Sequence, residues 1–322
     1  MQNTETLSIN TTKASNLEFV APGVYRLKIV FVNVYFIEHN GSWALIDAGL
    51  SGSSGKIIKA AAAQFGKNKA PEAIFLTHGH FDHVGAIKNL LPHWNVPVYA
   101  HPLEIPYLSG RSNYPPADPT VGGGAMSLMS FLYPNNPINI ASNLEHYTTD
   151  TLPGFPEWKV FHTPGHAPGH VSFFRERDGT LIAGDAFVTV KQESAAAVFS
   201  QEQKLHGPPQ YFTYNWTDAY ESVKLLAALN PAVAATGHGI PMEGELLRLE
   251  LQELVDNFYT TAVPAHGRYV KVPAITDLNG LRVLPPVINE DNKPKLIGIA
   301  SGIVVAIAGV FLFRYLRSRG KI

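Results

Sequence analysis

The 322-residue chain contains no cysteine. That excludes disulfides, thiolate metal sites and a cysteine nucleophile, so any transition metal must be held by imidazole and carboxylate. Charge is sparse too: 16% of residues are charged, with 25 Lys and Arg against 26 Asp and Glu. Without a basic excess there is no electrostatic track for nucleic acid, and no such partner is expected. The first residues, Met1 to Asn16, are rich in Thr, Asn and Ser. They lack the apolar core of a secretory signal.

What is present is a core-forming composition, 45% apolar, and one long apolar run. Residues 296–313 carry no charge and are followed by Arg314, Arg317, Arg319 and Lys321. A helix of that length spans roughly 27 Å, enough for a thin hydrocarbon core. The reading is a single-pass C-terminal transmembrane helix over 296–313, reached through a proline-bearing connector, 266–295, and ended by a basic tail, 314–322. The spacing of Gly298, Gly302 and Ala306 would let two such helices pack as a homodimer. The charge rule would place the tail inside the cell and the rest outside. The polar N-terminus offers no means of export, so the expectation is a membrane tail anchor with the catalytic domain in the cytoplasm.

Upstream of the connector, a polar segment (1–18) precedes a mixed α/β domain over 19–265. Runs at 24–30, 34–38 and 43–47 read as strands, with an Asn40-Gly41 hairpin turn. A helix follows over 56–65, then a buried strand at 73–77. A second helix runs from Asp82 to Leu91, stopped by Pro92, and a strand follows at 96–100. Residues 104–153 break the pattern with Pro- and Gly-rich stretches and read as a lid or binding loop. Strands return at 158–162, 171–175, 180–183 and 232–236. Helices are expected over 218–229 and 243–260.

The densest chemistry is Thr77-His78-Gly79-His80-Phe81-Asp82-His83. Four potential ligands fall within six residues, directly after a predicted strand. His78 and His80 alternate toward one side, while Asp82 and His83 turn toward a second point as a helix begins. One segment can thereby feed two metal ions. Imidazole and carboxylate suit zinc best, and also iron or manganese.

With these residues the sequence resembles the metallo-β-lactamase superfamily, whose hallmark is H-x-H-x-D-H. Further blocks follow in order. His166 in Thr163-Pro164-Gly165-His166, Asp185 in Gly184-Asp185-Ala186 and His238 in Gly237-His238-Gly239 are similar to the family's later ligands. The resemblance covers about residues 20–265 and implies a four-layer αββα sandwich. It implies that His78, His80 and His166 hold one metal, that Asp82, His83 and His238 hold the other, and that Asp185 bridges. Asp47 would support the site from beneath. His170 would pack rather than ligate, and His162 and His101 read as structural.

Two such ions activate a shared water near neutral pH. Asp82 is the candidate catalytic residue, orienting the nucleophile and passing a proton to the leaving group. The resemblance, together with the apolar run at 296–313, thus implies a membrane-anchored binuclear hydrolase using a bridging hydroxide on a small-molecule ester, lactone or thioester. A phosphodiesterase and a non-catalytic metal-binding membrane protein are the alternatives. The family's lactonases use a tyrosine three residues after the bridging aspartate. Val188 stands there instead, leaving Tyr211 and Tyr214 as substitutes or as packing residues.

Overall fold

The structure is a computed structural model that describes residues 16–287. Among these, seven strands form a first sheet in sequence order: β1 (Glu18–Ala21), β2 (Val24–Ile29), β3 (Val32–His39), β4 (Ser42–Ile46), β5 (Ile74–Phe75), β6 (Val98–Ala100) and β7 (Leu144–His146). The second sheet holds β8 (Thr151–Leu152), β9 (Phe155–His162), β10 (Val171–Arg175), β11 (Thr180–Gly184), β12 (Val233–Thr236) and β13 (Met242–Glu243), running from β13 at one edge to β8 at the other. Asn40 and Gly41 both adopt positive φ, 48° and 78°. They close the β3–β4 hairpin as that dipeptide favours.

Side-chain alternation explains the layers. On β3, Val34 and Phe36 point outward to pack with Trp43, Leu45, Ile57 and Leu90 under helices α1 (Ser54–Phe65) and α3 (Ile87–Trp94). Tyr35 and Ile37 point the other way and meet Phe155, Trp158, Val171 and Phe173 of the second sheet. That sheet's outer face, with Leu181, Ala183 and Ala234, is covered by the helices Trp216–Ala228 and Gly244–Asp256. The result is an αββα sandwich with one dry layer between the sheets.

The expected transmembrane helix, and the membrane localisation built on it, require correction. No helix among the described residues is long and apolar enough to cross a membrane. The longest of them have 13 residues, about 20 Å of rise against a hydrocarbon core of about 30 Å. Residues 296–313, and the helix-packing spacing within them, lie outside the described residues.

Pro92 also behaves differently from expectation. It lies inside α3, and the break falls earlier, between α2 (Phe81–Val84) and α3. The cause is tertiary. Gly85 donates its N–H to Gly49 O at 2.8 Å, and a Cβ there would lie 2.3 Å from Ser51 N. Gly85 keeps right-handed dihedrals, φ −59° and ψ −35°, so the break lies in the hydrogen bonding rather than in the backbone direction. Segment 104–153 is folded rather than open, with short helical turns and then β7 and β8. A ribbon of Ile275–Asp277 and Gly280–Val283 lies against it, with Leu281 N–H donating to Ser112 Oγ and Tyr269 Oη to Pro116 O.

Candidate metal centre

β4 pairs in parallel with β5, and β11 with β12. Their C-terminal ends therefore share one edge of the sandwich. Asp47 follows β4, His78 lies just beyond β5, Asp185 follows β11 and His238 lies just beyond β12. The β9–β10 turn brings His166. Asp82 and His83 sit in α2, whose first turn directs them to the same place.

All seven residues singled out from the sequence converge here and are buried. Three groups have ligand atoms within 4.8 Å of one another: His78 with His80 and His166, His78 with His83 and Asp185, and Asp82 with His83 and His238. His80 Nδ1 and His166 Nε2 face each other at 3.0 Å. Asp185 Oδ2 lies 3.1 Å from His238 Nε2, 3.4 Å from His166 Nε2 and 3.5 Å from His83 Nε2. It thus stands between the first and third groups. Asp82 Oδ2 is 3.5 Å from His238 Nε2.

Surrounding hydrogen bonds fix which nitrogen lone pairs remain free. Thr77 Oγ1 donates its only hydrogen to Asp47 Oδ2 at 2.8 Å, so at 3.0 Å from His78 Nδ1 it accepts. His78 therefore carries its proton on Nδ1. His83 Nδ1 donates to Asp47 Oδ2 at 2.7 Å, and His238 Nδ1 donates to Phe31 O at 2.8 Å. The Nε2 atoms of His78 and His83 and the Oδ1 of Asp185 are buried with no hydrogen-bond partner. Buried polar atoms left this way are costly unless something else satisfies them. Oriented imidazoles with free lone pairs beside carboxylates are a donor set that fits divalent metal ions.

Burial, then the neighbouring histidines, holds His78 and His80 well below the ordinary imidazole value. Burial lowers His166 to about 3 against the pull of Asp185. Neutral imidazole is the metal-binding form. Burial would lower His83 as well, but Asp185 and Asp47 outweigh it and hold it well above the usual range, so an ion binding at Nε2 has to displace a proton. The two acids diverge. Burial raises Asp82. It also works on Asp185, where His238 and His83 prevail and keep the carboxyl well below the carboxylate range.

His170 is engaged at both ring nitrogens: Nε2 accepts the Asp185 N–H at 2.9 Å and Nδ1 donates to Thr163 Oγ1 at 2.8 Å. It holds the backbone of Asp185 rather than facing the cluster. His101 and His162 stack on each other at 4.0 Å. Of the two tyrosines, Tyr211 is buried beside the cluster, raised by burial first and then by neighbours that include Asp82 and Asp185. Tyr214 packs instead with Tyr269 and Ala274.

Sequence reasoning missed several residues. Asn33 donates to Thr236 O at 2.9 Å and Gly239 O at 2.8 Å, tying the β2–β3 hairpin to the His238 loop. Phe212 stacks on His80 at 4.4 Å and Phe31 on His238 at 6.1 Å. Phe212 also packs with Phe81, Tyr133 and Tyr211, an aromatic cluster beside His80. Glu104, fully buried, accepts the N–H of Gly79 and of Gly169. No local pattern announces any of these, since each acts across a long sequence separation.

A family model described as "Metallo-beta-lactamase superfamily" matches residues 27–238. A Bacillus subtilis (strain 168) protein named "Probable metallo-hydrolase YflN" is 47% identical over 240 residues, 73% of this chain and 91% of that protein. A "Hydroxyacylglutathione hydrolase" of Halorhodospira halophila is 30% identical over 114 residues, 35% of this chain and 32% of its own. In fold, the chain is similar to an archaeal metallo-beta-lactamase superfamily protein from Sulfolobus tokodaii, with TM-score 0.50 and 18% identity, covering 74% of this chain and 86% of that one.

Proposed function

The chain belongs to the metallo-beta-lactamase superfamily and is a metallo-hydrolase, and from that premise we propose that it hydrolyses a small carbonyl ester, lactone or thioester with two divalent metal ions, zinc being the best match to its donors. The observation that carries this reading is the convergence of five imidazoles and two carboxylates into adjoining trios, with Asp185 between the outer two.

His78, His80 and His166 would hold one ion, and Asp82, His83 and His238 the other, with Asp185 serving both. Bound there, the ions would activate water near neutral pH and polarise the substrate carbonyl. Asp185, kept ionised by His238 and His83 against its burial, serves as a permanent anion. Asp82, whose Oδ2 lies 3.5 Å from His238 Nε2, would orient the nucleophile and pass its proton to the departing oxygen or sulfur. Asp47 and the Phe31 carbonyl hold His83 and His238 in the required tautomers. The aromatic cluster of Phe81, Tyr133, Tyr211 and Phe212 beside His80 favours an apolar acyl group. That lining suits a carbonyl substrate better than a phosphodiester, which would call for a cationic clamp.

Metal analysis and a substrate panel test the proposal together. Protein purified without chelator should hold about two transition-metal ions per chain, and turn over ester, lactone or thioester in preference to phosphodiester. Less than one ion per chain, or phosphodiester turnover alone, overturns it.

A further inference from the structure

Resting on the two-metal reading above, we infer that Glu104 is the positioning residue of the three-histidine ion site: one buried carboxylate that locks together the two loops carrying His78, His80 and His166. Glu104 enters from the turn after β6 and is fully buried. Its Oε2 accepts the N–H of Gly79, the residue between His78 and His80, at 2.9 Å. Its Oε1 accepts the N–H of Gly169, three residues beyond His166, at 2.7 Å. The hydroxyl of Tyr114 also donates to Oε2 and lies 2.9 Å from Gly79 N. Loops more than eighty residues apart in sequence are thus joined through the two oxygens of a single side chain.

The motif glycines are consistent with this arrangement. A Cβ on Gly79 would lie 2.4 Å from Tyr114 Oη, and one on Gly169 would lie 2.8 Å from Glu104 Cγ. Each glycine leaves the space that the clamp occupies. Glu104 also gives segment 104–153 a role at the metal centre, because its first residue and Tyr114 both reach that centre. The second trio depends on different supports: Asp47 orients His83, and the Phe31 carbonyl orients His238. Glu104 makes no hydrogen bond to Asp82, His83 or His238. Its loss should therefore strike one ion site and spare the other.

Glutamine has the shape of glutamate but only one acceptor oxygen. In Glu104→Gln the amide must turn its NH2 toward one of the two backbone N–H groups, and that contact becomes donor against donor. Tyr114→Phe keeps both backbone bonds and removes only the phenol, so it provides a milder second variant. Zinc(II) titration of the metal-free full-length protein, followed by the histidine ring NMR signals, separates the two sites. The signals of His78, His80 and His166 report one ion and those of His83 and His238 the other.

Glu104→Gln is expected to weaken the site of His78, His80 and His166 about 10- to 100-fold, and the site of Asp82, His83 and His238 less than about threefold. Tyr114→Phe should show the same selectivity at smaller amplitude. A destabilised fold would instead weaken both sites by similar factors. Equal weakening of the two sites, or wild-type affinity at the site of His78, His80 and His166 in Glu104→Gln, overturns the inference. If Glu104→Gln does not fold, equal effects of Tyr114→Phe on both sites overturn it. A wild-type protein that binds fewer than two ions per chain overturns the two-metal reading itself and the inference with it.

Discussion

Replacing Asp47 by Asn leaves the shape of the side chain nearly unchanged and removes one acceptor. In the wild type, Oδ1 accepts the N–H of Thr77 at 2.8 Å, while Oδ2 accepts both Thr77 Oγ1–H at 2.8 Å and His83 Nδ1–H at 2.7 Å. Asn can keep the first of these through its single oxygen. Its NH2 then faces two donors. His83 relieves the clash by moving its proton to Nε2, the atom 3.5 Å from Asp185 Oδ2. That removes the lone pair the second ion site needs. His78 is less affected, because Thr77 Oγ1 can still accept from its Nδ1. Loss of such a support typically costs 10- to 100-fold in metal affinity, about 1.4–2.7 kcal/mol at the site of Asp82, His83 and His238. Asn tolerates the left-handed backbone at this position, where φ is 60°, so strain adds little. Competition against a chromophoric chelator reads the two dissociation constants, and thermal unfolding of the metal-free protein checks the fold. Two wild-type constants in Asp47→Asn would refute the claim that this carboxylate sets the His83 tautomer.

Three further outcomes follow from the site. Asp82→Ala should lower kcat by about two orders of magnitude or more, the scale of lost general acid–base help, with the circular dichroism spectrum unchanged; wild-type turnover would remove its assigned role. Chelation should abolish hydrolysis and lower Tm, since an ion at a hundred times its dissociation constant stabilises the folded state by about 2.7 kcal/mol; a Tm indifferent to chelator and to added zinc would contradict a built site. His206 is lowered to about 4 by burial first and then by Lys204 and Lys191. The unfolded chain therefore takes up this proton before the folded one, and stability that is fully present above about pH 6.5 is lost as pH falls toward 4. His206→Gln removes that loss, so the Tm advantage of the wild type over the variant should shrink between pH 7.5 and 4.5. An advantage constant across that range would refute the assignment.

What the sequence determined by itself was local in character. H-x-H-x-D-H concentrates candidate ligands in one loop, and the later Gly-His and Gly-Asp blocks recur in order, so the seven residues that converge in the structure could be named without coordinates. Period-two alternation on β3 and the Asn40-Gly41 turn were legible for the same reason: each depends on neighbours a few residues away. A charge-free run at 296–313 invited a membrane reading, yet the helices of the described residues are short, amphipathic and folded against sheets. Tertiary structure alone decided where α2 ends, because Gly85 gives its N–H to Gly49 O on a distant segment, while Pro92 is accommodated inside α3. It alone distinguished Tyr211, beside the cluster, from Tyr214, packed against the C-terminal ribbon. It also supplied Asn33, Phe31, Phe212 and Glu104, whose partners lie on distant segments. A hydrogen bond between Glu104 and both Gly79 and Gly169 has no signature in one dimension, because the packing of two sheets, not the spacing of residues, brings those three groups within 3 Å.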